Sequence, residues 1–118
     1  MPKYPLSDGS MLDKKIIDRR IAQAKEQYSE SFYNEHGYFF CERTLRSDSI
    51  PERSHIISVK ECQNSGRSEL AWCQWNLELL NRDSHDEIHI WSNAKREAWY
   101  HERKDGVTYE EFIDSYQD

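Results

Sequence analysis

Glycine and proline are scarce in this sequence, with four and three copies in 118 residues, so a glycine-period repeat and a proline-rich linker are both excluded. Cysteine is too scarce for a disulfide scaffold. The three present, Cys41, Cys62 and Cys73, are odd in number, which points to a reducing, cytoplasmic setting. No apolar run approaches the roughly 20 residues of a membrane span, and the opening MPKYPLSDGS lacks the apolar segment of a secretory signal, so no membrane partner is expected. Positive charge is also in short supply. Sixteen Lys and Arg face 22 Asp and Glu, a net charge of −6 that argues against a general polyanion binder. A Gly-rich phosphate loop, a Gly-x-Ser-x-Gly elbow and a Cys-x-x-Cys pair are all missing, which removes several large enzyme classes.

What is present points to a folded domain. Aromatics make up 13% of the chain, including four Trp and seven Tyr, and disordered chains are poor in such residues. The length allows one domain, and the charged fraction of 32% implies a small core. Residues 1–10, with two prolines, a glycine and two serines, read as a loose arm, and 11–118 as the single domain. Ser10 is placed to cap a helix running from Met11 to about Tyr33, with Ile17, Ile21, Ala24 and Tyr28 on its apolar face. Tyr38, Phe39 and Phe40 have strand character.

Residues 42–75 are polar and irregular apart from Ile56 and Ile57 and a helical turn near Glu69–Trp72; so long a loop in a small domain suggests function. A strand is expected at Leu77–Leu80. Ser84 and Glu87 have capping-box spacing before a helix that buries Ile88, Trp91, Ala94, Ala98 and Trp99 and stops at Asp105 and Gly106. Thr108 and Glu111 repeat that spacing before a last short helix. The four tryptophans, Trp72, Trp75, Trp91 and Trp99, read as core. The fold class is therefore α+β.

The histidines carry the chemistry. His85 and His89 are four apart on a predicted helix, which puts both imidazoles on one face, where they can hold one divalent cation. His55 ends the polar stretch, and Asn76 stands at the entrance of the strand feeding the helix. An imidazole near its ordinary pKa can take a proton from water, and a metal across a phosphate can neutralise the charge that builds there.

That order, in the words SHIIS at 54–58, NLELL at 76–80 and SHDEIH at 84–89, resembles the HNH endonucleases, particularly small phage-type members, over residues 38–95. The resemblance implies a ββα-metal core with an N-terminal helix and C-terminal helices. It implies hydrolysis of DNA phosphodiesters with one divalent cation, Mg, Mn, Ni or Zn. His55 would be the general base, Asn76 would orient it, and His85 and His89 would bind the metal. A phage origin would place the protein in the host cytoplasm.

Two features depart from the family. The four positions of the zinc site that many members carry fall on Cys41, Thr44, Asn81 and Ser84, so no structural zinc is expected. Ser54 stands where the family usually has a further metal ligand, with Glu52, Asp83 or Asp86 as substitutes. The alternative reading is a catalytically inactive HNH-derived module that binds nucleic acid or protein.

The acidic excess is local. Residues 40–70 carry five acids and five bases, whereas 99–118 carry six acids and two bases. DNA contacts are therefore expected from Arg43, Arg46, Arg53, Lys60 and Arg67, with the acidic C-terminal face turned away or toward a protein partner.

Overall fold

The computed structural model describes residues 2–116. The helical spacing of Ile17, Ile21 and Ala24 is realised in α1, Lys14–His36, which buries Ile17, Ala24 and Phe32 along one side. Gly37 ends it at φ 81°, a left-handed conformation that glycine adopts without steric cost, and donates its N–H to the Tyr33 carbonyl at 2.7 Å.

Upstream, the expected loose arm is a hairpin. Strand β1, Lys3–Pro5, pairs antiparallel with β2, Met11–Asp13, and the Ser7 N–H and hydroxyl both reach the Glu69 carboxylate. Residue 1 of that segment lies outside the described residues. Asp13 rather than Ser10 precedes the helix, and the Ser10 N–H is used inside the hairpin turn, donating to Asp8 at 2.9 Å.

The aromatic segment at Tyr38–Phe40 forms no strand, because no neighbouring strand offers it a ladder. Its rings fold back on the end of α1, with Phe32 and Phe40 centroids 4.8 Å apart. Phe39 stays 39% exposed, so it is a surface ring.

The first strand of the central pair lies instead in the polar stretch. Strand β3, Glu52–His55, pairs antiparallel with β4, Leu77–Leu80, setting Glu52 opposite Leu80 and His55 opposite Leu77. All four residues of β4 are buried. The connection holds α2, Val59–Asn64, whose first turn is capped where Ser58 Oγ accepts the Glu61 N–H at 3.2 Å. Two short 3-10 turns, Ser68–Trp72 and Gln74–Asn76, bring the chain back.

Beyond β4 the expected single helix is two. Helix α3, Arg82–His89, and α4, Asn93–Lys104, are separated at Ile90–Ser92. Asn81, not Ser84, caps α3, its Oδ1 accepting the Ser84 N–H at 2.9 Å, and Ser84 itself is buried inside the helix. Ser92 restarts the chain by accepting the Lys95 N–H. Helix α5, Tyr109–Ser115, opens with the expected box of Thr108 and Glu111. Residues 117–118 of the expected domain lie outside the described residues.

The core joins Ile56 and Leu80 from around the strand pair to Ile88, Trp99 and Phe112 of the last three helices. Trp75 is 47% exposed and is a surface residue, contrary to the core reading. The architecture is α+β: an antiparallel pair followed directly by α3, with α1 and α4–α5 around them. Among the described residues, no helix is long and apolar enough to cross a membrane.

Candidate active site

His55 ends β3, and its Nε2 lies 2.7 Å from the Ala71 carbonyl oxygen. A carbonyl only accepts, so Nε2 carries the proton and Nδ1 keeps its lone pair. Burial lowers the pKa of this imidazole, with the Lys25 charge adding to the shift, outweighing the opposite effect of the Ala71 bond. The ring is thereby held neutral and in the tautomer a base requires.

Asn76 does not touch His55 directly. It is fully buried, and its Oδ1 accepts the Ile57 N–H at 2.6 Å while its Nδ2 donates to the carbonyls of Ile57 and Leu70 at 3.0 and 2.9 Å. Asn76 thus fastens both sides of the excursion that carries the His55 partner Ala71. The contacts of Asn76 are with the backbone of that excursion, not with the His55 ring it is expected to orient.

His85 and His89 of α3 face the same cavity as His55, a space of about 230 Å³ also lined by Lys25, Arg53, Ser54 and Arg96. The two rings are stacked with centroids 4.7 Å apart. His85 Nδ1 donates to Glu52 Oε2 at 3.2 Å, which leaves its Nε2 available to a metal. The His85 bond and the Arg82 guanidinium hold the Glu52 carboxyl below the usual carboxylate range.

Glu52 is therefore placed to aim a ligand, being outside the cavity lining, and Asp83 and Asp86 are exposed on α3 and do not line it either. Ser54 is the candidate that does line it. Its hydroxyl is turned to the His55 carbonyl at 3.4 Å. Among the described residues no group of three His, Cys, Asp or Glu is arranged to hold a metal. A cation held there would have two imidazoles from the protein and would need water or other oxygens to complete its shell.

Of the basic residues expected to meet DNA, only Arg53 reaches the cavity. Arg43 is buried, pairing with Glu78 at 2.9 Å and lying over the rings of Trp91 and Tyr109. It is a core cation, and the expectation of a phosphate contact there is corrected: its charge is spent inside the fold. Arg67 is taken up by a two-pronged bond to Glu97. Arg46 is exposed and pairs with Asp48 at 2.6 Å, and Lys60 is exposed on α2.

Sequence reasoning missed Lys25 and Arg96. A signal existed for Arg96: it lies three and four residues before the buried Trp99 and Tyr100, so a charge falls on the apolar face of α4. Burial lowers the pKa of both groups, aided by Arg53 beside Lys25 and by Arg43 beside Arg96.

The four positions aligned with a zinc site come together at the start of α3. Cys41 Sγ donates to Ser84 Oγ at 3.7 Å, and Asn81 bridges Thr44 and Ser84, donating to Thr44 Oγ1 at 3.3 Å and accepting the Ser84 N–H. Hydrogen bonds join the turn at 41–46 to α3 at this place. No protein-family model, curated protein or solved structure matches the chain.

Proposed function

We propose that the protein is an HNH-type endonuclease that hydrolyses DNA phosphodiester bonds with one divalent cation. The observation that carries this reading is His55: neutral, with Nε2 pinned to Ala71 and Nδ1 free, beside the paired imidazoles of His85 and His89. The convergence of Cys41, Thr44, Asn81 and Ser84 supports the same alignment.

In this reading, His55 Nδ1 takes a proton from water as the water oxygen bonds to phosphorus and the P–O bond to the leaving alkoxide breaks. A cation held by His85 and His89 would supply charge neutralisation at the phosphoryl and leaving oxygens. Glu52 fixes the His85 ring, and Asn76 fixes the segment that orients His55.

The Ser54 hydroxyl, engaged by the backbone where a stronger ligand would stand, favours the second reading, an inactive HNH-derived module. Supercoiled plasmid with Mg²⁺ or Mn²⁺ separates the two. Cleavage by the wild type and its loss in His55→Ala and His85→Ala is the expected result. An intact plasmid together with no heat on titrating metal overturns the nuclease.

A further inference from the structure

The cavity beside His55 contains three cations, Lys25, Arg53 and Arg96, and no carboxylate lines it. Among the described residues none of the three is paired with an Asp or Glu, whereas Arg43, Arg67 and Arg103 each have one. Arg96 is the most telling. It is only 8% exposed, so its charge has been taken out of water without a counter-ion.

A helix-capping role explains part of this side chain. Nη2 donates to the Ile88 carbonyl at 2.7 Å, near the end of α3. That uses one donor of five. Nε is buried without any partner. A guanidinium with an orphaned N–H, lining a cavity with two further cations, is an arrangement suited to an anion.

We infer that Arg96, with Lys25 and Arg53, binds a phosphate group in this cavity, placing it between His55 and the His85–His89 pair. The identification of that phosphate as the one being cleaved rests on the nuclease reading; the binding site itself does not. A phosphodiester brings two non-bridging oxygens that can accept from a guanidinium fork while a third direction stays open to attack. Lys25 of α1 and Arg53 of β3 line the same cavity and add two further positive charges.

The test uses metal-free protein in chelator, following the imidazole NMR signals of His55, His85 and His89 as inorganic phosphate is added at constant ionic strength. Wild type is expected to show a saturable shift that chloride and acetate do not reproduce. In Arg96→Gln, affinity should fall about tenfold or more, the loss of a charge-assisted hydrogen bond, while Lys104→Gln, an exposed change at the end of α4, binds as wild type does. A shift in wild type that fails to saturate, or a folded Arg96→Gln that binds equally well, overturns the inference. Should Arg96→Gln not fold, Lys25→Gln/Arg53→Gln is the arbiter, and unaltered phosphate affinity in that variant counts against the site.

The two proposals fail separately. Plasmid cleavage and phosphate affinity that are both untouched in Arg96→Gln remove the phosphate site and leave the nuclease. Saturable, Arg96-dependent phosphate binding in a protein that cuts no DNA removes the nuclease and leaves the site.

Discussion

Asn76 holds Ile57 by both of its backbone groups, accepting the N–H at 2.6 Å and donating to the carbonyl at 3.0 Å. The two residues stand at opposite ends of the excursion between β3 and β4, so one buried amide closes that segment as a backbone ladder would. Through this closure the segment carrying Ala71 is held where the His55 ring meets it.

Asn76→Ala should be strongly destabilising. It leaves the Ile57 N–H and the Ile57 and Leu70 carbonyls without their partner, and about 2–4 kcal/mol of unfolding free energy is expected to go. Urea denaturation measures it. Asn76→Asp should also lose stability, since a carboxylate cannot donate to either carbonyl.

Acid should act through His55. Its pKa is lowered in the folded protein by burial, so the unfolded chain takes up a proton near 6.5 while the folded chain resists until lower pH. Stability contributed by the neutral ring is present above 6.5 and is lost as pH falls below it. The His55→Gln variant should show a shallower decline of stability over that window. At saturating metal, the acid limb of the cleavage profile should lie below the ordinary imidazole value; a limb above it removes His55 as the base.

Arg43→Met separates a core cation from a DNA contact. Glu78 would stay buried with its main partner gone, and a loss of about 3 kcal/mol is the scale for breaking such a pair. The expected signature is a lower denaturation midpoint, with the salt dependence of DNA binding unaltered in protein that remains folded. A change in the salt slope would return Arg43 to the nucleic-acid surface.

Glu52→Gln tests the aim of His85. An amide still accepts from His85 Nδ1 but lacks the charge, so metal affinity by calorimetry should weaken by about tenfold and the helix content should stay as it is. His89→Ala, which removes a proposed ligand outright, should weaken binding further than Glu52→Gln does. The reverse order would make Glu52 a ligand itself.

The legible parts of the fold were those whose signal is local. The apolar face of α1, strand β4 and the Thr108–Glu111 box rest on spacing and on side-chain bonds spanning a few residues, and each is found where spacing put it. Strand β3 escaped because Glu52, Arg53, Ser54 and His55 have no apolar alternation; β4 supplies both the ladder and the burial. The break between α3 and α4 was hidden because Ile88, Trp91 and Trp99 keep a helical rhythm across it.

In the site, the sequence by itself determined which residue types could do chemistry: two imidazoles a helical turn apart, a further histidine and an asparagine at a strand entrance. Periodicity is enough to place His85 and His89 on one face. Tertiary structure decided everything that depends on a partner far along the chain. It set the His55 tautomer through Ala71, turned Glu52 to His85, spent Arg43 on Glu78, and left Arg96 lining the cavity with its buried Nε unpartnered. A charge is a property of composition, but whether it is neutralised, buried or available is fixed only by what the fold puts within hydrogen-bonding distance of it.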